Sequence, residues 1–387
     1  MHVVHVCASL DPATGGPANV LARMAAEQAR RGHTVHVVTA DPADLTDTQI
    51  DMLKAAGVTC SFTGTPADNA GSSPIPAGKT LSELLNDPQT DLAHCHGIWQ
   101  PLMHQAMGLA RTLGKPYIVR PAGMLDPWSL RQKRLKKAVF LALRGKRDFN
   151  NAAALHFTTD TEKRLVEPLR LKPRPFVIPN GIDWDEFENL PAPGSFRAQW
   201  HIDDAPLIVF LSRLHYKKGL DLLLPAFAEA CGSTDARLAL IGPGEEAYVA
   251  TLKTSTQKLG IAERVIFPGM IKGADRIAAL ADADLFALPS YQENFGVAVV
   301  EALAAGTPVL ISDQVNLHHE ISQARVGSVC PCKVEPLTRL LKEAMSDREK
   351  LAEMGRNGRD WVKRTFQWAI IVDSIDEMYR SITEATP

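Results

Sequence analysis

"ADADLFALPSYQENFGVAVVEALAAGTPVL", residues 281–310, holds one complete repeat of a parallel sheet: strand, loop, helix, strand. The apolar run 284–290 reads as a strand closed by Pro289-Ser290, and a second run opens at Pro308. Between them a helix starts near Gly296 and ends at Ala302 to Ala305, stopped by Gly306 and Pro308. Glu293 hangs in the loop before this helix, and Glu301 sits about one turn inside it. The N–H groups of Phe295, Gly296 and Val297, with Asn294 before them, open the helix and suit an anion. Two carboxylates able to take hydroxyl hydrogens, set around an anion site, point to a phosphate-linked sugar.

The same strand–helix alternation runs outward in both directions. Upstream lie "HVVHVCAS", "TVHVVTA", "VTCSF", "DLAHCH", "KPYIVR", "ALHFTT" and "PFVIPN". After an acidic, Pro-rich stretch at 181–195 come "LIVFLSR", "RLALIGPG", "RVIFPGM", "DLFALPS", "PVLISD" and "GSVCP". The expected fold class is α/β, with two Rossmann-like parallel-sheet domains facing a cleft. The boundaries are 1–181, 182–365 and a final helix at 366–387, free to pack on either domain and so to cross back to the first.

The 387 residues are 45% hydrophobic and 22% charged, a composition for soluble, well-cored domains. No apolar run reaches the ~20 residues that span a bilayer. "MHVVHVCASL" lacks a basic leader and reads as a strand, so the expected location is cytoplasmic, peripheral on the inner face of the plasma membrane. Six cysteines show no metal-ligand spacing and fit reduced, buried thiols. Residues 1–180 hold 21 Lys/Arg and 15 Asp/Glu, a net +6, whereas the remainder carries −8. The excess gathers in "RQKRLKKAVFLALRGKR", residues 131–147, a basic amphipathic helix suited either to solvent or to an anionic membrane surface. Nucleic acid is a poor fit, since aromatics are few and the basic patch stands alone.

Three loops at strand ends could share one ligand. Gly15-Gly16-Pro17 leads into a helix, where small residues let backbone come close and the helix dipole is positive. In "FLSRLHYKKGLDLLLPAF", Arg213 leaves a strand and Lys218 opens the next helix, a fork and a point charge fit for two phosphates. The third loop carries Glu293.

With "GGP", "NGID" (180–183), "SRLHYKKG", "LIGPGEE" and residues 281–310 together, the chain resembles the family 4 retaining glycosyltransferases, which have the GT-B fold. The likeness runs nearly end to end. "HGIW" (96–99) and "RPAGMLDPWSLRQKRLKK" resemble a branch from bacterial cell-surface polysaccharide synthesis. The resemblance implies that Arg213 and Lys218 bind the donor diphosphate and steady its charge as it leaves. Glu301 would accept from the ribose hydroxyls, and Glu293 would hold the transferred sugar beside the Asn294-Phe295-Gly296 backbone. Gly16 would let the first domain close over the phosphates, and main chain around Met270 and Ile271 would read the base. The leaving phosphate itself would take the acceptor proton, with no protein nucleophile, cofactor or metal. "DAD" at 282–284 formally matches a metal motif, but Asp282 ends a helix and Asp284 begins a strand.

The expected partners are a nucleotide-sugar donor, a glycan or lipid-linked acceptor and, through 131–147, an anionic membrane. One departure stands out: where the family often has a histidine after this strand, the chain has Ala122. Either the role is absent, or Arg120 or His96 takes over that contact, or activity is lost. A non-catalytic sugar-nucleotide-binding subunit and a GT-B epimerase are the alternatives, and donor hydrolysis or transfer in vitro separates the first of these from an enzyme.

Overall fold

The computed structural model describes residues 1–11, 16–40, 47–63 and 80–384, which form two compact units. The first takes Met1–Gly181 and Trp368–Pro387, and the second Ile182–Gln367.

In the first unit the strands are β1 (His2–Cys7), β2 (Thr34–Thr39), β3 (Thr59–Phe62), β4 (Leu92–His96), β5 (Tyr117–Arg120), β6 (Ala154–Phe157) and β7 (Arg174–Val177). They pair in parallel in the order β3-β2-β1-β4-β5-β6-β7. Helices pack on the faces, so β1, β4 and β5 are buried along almost their whole length, with no polar face in alternation; β1 and β5 carry β-branched residues, and β4 reads Leu-Ala-His-Cys-His. The second unit has β8 (Leu207–Leu211), β9 (Arg237–Ile241), β10 (Val265–Gly269), β11 (Leu285–Leu288), β12 (Val309–Ser312) and β13 (Gly327–Cys330), ordered β10-β9-β8-β11-β12-β13. Each sheet therefore reverses its winding once, between β1 and β4 and between β8 and β11. Such switch points leave a crevice at the carboxyl ends, because the flanking helices lie on opposite faces.

The last helix, Trp368–Thr383, buries Trp368, Ile371, Val372, Ile375, Met378, Tyr379 and Ile382 within the first unit, a stripe of helical period. It lies on the helix Gly16–Arg30: Arg31 bonds to Asp373 and to the Ala369 carbonyl, and His33 reaches Asp376 at 3.2 Å. The periodicity alone allowed either unit.

The basic stretch is not one helix. Pro127–Arg131 ends in a turn, with Lys133 in the left-handed region (φ 55°), and a second helix runs Arg134–Phe140. A π-turn at Leu141–Gly145 then leads into Lys146–Asn150. The extra residue in the π-turn rotates the side chains that follow it.

Candidate functional site

At the switch point of the second sheet, two segments 75 residues apart are sewn together. Beyond β8 the chain makes a short 3₁₀ turn, Tyr216–Lys218, so Lys218 closes that turn and precedes the helix Leu220–Ala230 instead of opening it. Gly219 follows at φ 71°, and a Cβ there would lie 2.0 Å from the Pro289 carbonyl oxygen. Only glycine lets the turn seat against the end of β11. The Tyr291 N–H donates to the Lys217 carbonyl at 2.8 Å, completing the seam. It delivers the Lys218 ammonium onto the Glu293 carboxylate as an ion pair, with the two side chains 12% and 23% exposed. Arg213, two residues past β8, is exposed and has no ion-pair partner among the described residues.

Glu293 is fixed by its main chain: its N–H donates to Gln314 (3.0 Å), and its carbonyl accepts from Asn316 (2.9 Å). Phe295 is buried and packs edge-on against Phe366, so it anchors the loop and offers only backbone outward. Gly296, at φ 79°, caps the helix Val297–Ala304, and a Cβ would press within 3.1 Å of Val299 and 3.4 Å of the Glu293 side chain. The N–H groups of residues 295–298 have no acceptor among the described residues, an anion-ready helix start one loop away from Lys218 and Arg213. The Asn294 side chain lies 3.4 Å from that of Asn316.

Glu301 lies inside the helix as expected, yet it is not idle. Arg276, on the helix Gly273–Ala281, binds one of its oxygens and also Glu186, at 2.6 Å. Burial pushes the Glu301 carboxyl up, and the guanidinium pulls it back. Arg276 in turn is raised by the two carboxylates against the opposing effect of burial. One Glu301 oxygen is thereby clamped and the other keeps its lone pairs. Arg276 and Glu186 escaped the sequence reading, because nothing in the spacing of residues 186, 276 and 301 says that they meet. Met270 and Ile271 follow β10 at the same carboxyl edge, Met270 exposed and Ile271 half-buried.

Asp282 and Asp284 are engaged elsewhere. Asp282 accepts the N–H groups of Gly194 (2.7 Å), Phe196 (2.8 Å) and Arg197 (3.2 Å), capping a short helix. Asp284 pairs with Arg197 (2.7 Å) and Arg348 (2.6 Å) and accepts the Leu207 N–H (2.8 Å).

In the first unit, Gly16 starts its helix past the end of β1, whereas Gly15 lies outside the described residues. His96 and Arg120 end adjacent strands and meet: Arg120 Nη1 is 3.4 Å from His96 Nδ1, and Nη2 donates to Asn180. The other His96 nitrogen sits 2.9 Å from His5 Nδ1, so neither ring nitrogen is open to a ligand. Ala122 follows at φ 49°, and the Gly123 N–H donates to the buried Glu162 carboxylate at 2.6 Å. A methyl group at position 122 supplies no hydrogen bond.

Residues 195–361 match the family model described as glycosyl transferases group 1, and residues 15–181 match that of the glycosyl transferase 4-like domain. The GDP-mannose-dependent alpha-(1-6)-phosphatidylinositol monomannoside mannosyltransferase of Mycolicibacterium smegmatis is 32% identical over 201 residues, 49% of this chain and 52% of that one. The alpha-monoglucosyldiacylglycerol synthase of Streptococcus pneumoniae is 32% identical over 173 residues, 43% and 38% of the two chains. The chain spans about half the length of the curated relatives it matches. Among solved structures, Anabaena HepE in complex with UDP and glucose superposes with TM-score 0.76 at 20% identity, covering 98% of this chain and all of that one. WaaG, a glycosyltransferase involved in lipopolysaccharide biosynthesis, gives 0.71 at 20% identity, with 97% and 98% covered. Both likenesses establish the architecture of two Rossmann-like parallel-sheet units, the GT-B fold.

Proposed function

Since the chain belongs to the glycosyl transferase group 1 family, we propose that it moves a sugar from a nucleotide-sugar donor to a glycan or lipid-linked acceptor in envelope polysaccharide synthesis, with retention and without a metal. The observation that carries this reading is the Lys218–Glu293 pair at the second switch point, where Arg213, two residues past β8, has no ion-pair partner among the described residues. Without donor, Glu293 neutralises Lys218. A diphosphate brings more negative charge than one carboxylate and, with Arg213, takes over the ammonium. Glu293 is then released to accept hydrogen bonds from the sugar hydroxyls. As the bond between the anomeric carbon and the phosphate oxygen breaks, negative charge grows on that oxygen, where Lys218 and Arg213 stabilise it. The acceptor oxygen bonds the same carbon from the same face, and its proton passes to the departing diphosphate. Glu301, with one oxygen clamped by Arg276, presents the other to the ribose hydroxyls.

The relatives' names fit this reading, since they describe transfer of mannose to phosphatidylinositol mannoside and synthesis of a glucosyldiacylglycerol. For the acceptor side, the basic stretch adds Leu135, Val139 and Leu143, exposed at 83%, 57% and 78% among lysines and arginines. We read this face as resting on an anionic membrane, apolar tips in the interface and charges at the headgroups. No helix among the described residues is long and apolar enough to cross a membrane.

Thermal-shift screening with UDP-, GDP-, ADP- and dTDP-sugars, followed by transfer assays with the stabilising donor, tests the reading. A donor that raises the melting temperature and is consumed equally well in EDTA is the expected result. No stabilisation by any of them, or activity lost to EDTA and restored by Mn²⁺, would overturn it.

A further inference from the structure

Four histidines from β1, β4 and β6 meet inside the first unit: His5, His94 and His156, all fully buried, and the half-buried His96. Ring nitrogens of His5, His94 and His96 lie within 4.8 Å of one another, the spacing of a transition-metal site. Their hydrogen bonds say otherwise.

Arg120 can only donate, so His96 Nδ1, 3.4 Å from its Nη1, must be the acceptor and the ring hydrogen must sit on Nε2. That hydrogen points at His5 Nδ1, 2.9 Å away, which puts the His5 hydrogen on Nε2, facing Gln28 Oε1 at 2.7 Å. Gln28 Nε2 then donates to the Tyr379 hydroxyl (3.2 Å), whose own hydrogen goes to His94 Nδ1 (2.8 Å). His94 Nε2 donates to His156 Nδ1 (3.3 Å), and His156 Nε2 to the Ile178 carbonyl (2.8 Å). A carbonyl can only accept. Both ends therefore impose the same direction, with every imidazole neutral, its hydrogen on Nε2 and its lone pair in use. A second proton on His5, His96 or His156 would set two hydrogens face to face.

We propose that Arg120 is a positioning residue that orders the protons of this cluster, and that the four histidines form a neutral, one-way hydrogen-bond chain and not a metal site or a set of acid–base groups. A cation among them would displace a used lone pair and sit beside the buried guanidinium. Arg120 has the character of an organiser: it is 4% exposed, bonded to Asn180 and His96, and makes no direct bond to Glu162, whose oxygens go to Thr158 and Gly123. His5 is held down to about 4 and His156 to about 3, by burial first and then by Arg120, in keeping with rings that stay neutral.

The test reads ring nitrogens and does not depend on any transfer activity. Protein labelled with ¹⁵N-histidine, its rings assigned by single His→Gln variants, should show these four in the neutral Nε2–H form at neutral pH. Arg120→Met combined with Tyr379→Phe cuts His96 and His5 off from both anchors and should release them into mixed tautomers, while His94 and His156, anchored by Ile178, stay ordered. Tyr379→Phe, a milder change, should move only the His94 Nδ1 resonance. A protonated or Nδ1–H ring among the four in the wild type, or no change at His96 and His5 in the double variant, would overturn the proposal. So would stoichiometric Zn²⁺ shifting the His5, His94 and His96 rings together, which would identify a metal site.

Discussion

Lys218 is the residue on which leaving-group chemistry and simple anchoring make different predictions. Charge on the diphosphate rises as the sugar departs, so an ammonium placed there should count for more in the transition state than in the bound donor. Lys218→Ala is expected to lower kcat about 10²–10³-fold, the scale for losing one preorganised donor, with a much smaller change in donor affinity. A rise in KM alone would leave Lys218 as an anchor. Arg213→Lys should also impair transfer, because an ammonium cannot reproduce the guanidinium fork. Glu301 makes a separable case. Glu301→Ala should weaken nucleoside diphosphate binding by about 1.5–3 kcal/mol, the cost of losing a charged hydrogen-bond partner. Arg276→Ala should act in the same direction by leaving Glu301 unaimed. Calorimetry with pyrophosphate checks both: if its affinity fell as much as that of the nucleotide, the ribose assignment would be wrong.

At the scale of elements, the broken basic stretch shows how a helix prediction from charge and apolar spacing can be correct in character and wrong in extent. The left-handed Lys133 separates Pro127–Arg131 from the rest, and Lys137 folds back to the Ser129 carbonyl (2.6 Å) and over the Trp99 ring. Lys137 is thus partly spent on its own fold, while Leu135, Val139 and Leu143 project outward. Leu135→Gln with Leu143→Gln should reduce sedimentation with anionic liposomes and spare binding of soluble donor; equal partition of variant and wild type would return this face to solvent. The strands bearing the histidine chain predict a pH dependence. An unfolded chain protonates His5 and His156 below about pH 6.5, whereas the folded one resists until about 4 and 3. Stability of the first unit should therefore be complete above pH 6.5 and decline as pH falls towards 4. Among the groups around the chain, Arg120 and His33 act with this trend, both disfavouring a proton on His5. Glu162, raised by burial, opposes it by taking its proton earlier in the folded state. Amide exchange in β1, β4 and β6 at neutral and mildly acidic pH measures the effect; protection that does not fall would contradict it.

For the whole molecule, the last helix determines which unit is complete by itself. Trp368–Thr383 supplies seven buried side chains, Tyr379 among them, to the first unit, and Gly181 admits the Trp368 ring where any Cβ would collide with it. Burial of each large side chain is worth about 1.5–3 kcal/mol, so a chain ending at Gln367 should lose more than a small domain can spare. Its first unit is expected to be cleaved rapidly by protease while Ile182–Gln367 survives. Resistance of both units would show that the helix is dispensable.

Much of this protein was legible in one dimension because the relevant signals are local. β-branched runs fully buried in parallel sheets, Gly306 after a helix, Gly296 before one, and a cation five residues past another at a strand end all act within a few residues of chain. That sufficed for the α/β architecture, the acidic connection near residue 182, the segments bearing Arg213, Lys218 and Glu293 at strand ends, and the helix bearing Glu301. Contacts across tens or hundreds of residues have no such signature. Only the folded sheets bring Arg276 and Glu186 to Glu301, turn both His96 nitrogens inward and assign the last helix to the first unit. The direction of the histidine chain needs more still, since a proton's place on a ring depends on whether each neighbour in three dimensions can give a hydrogen or only accept one.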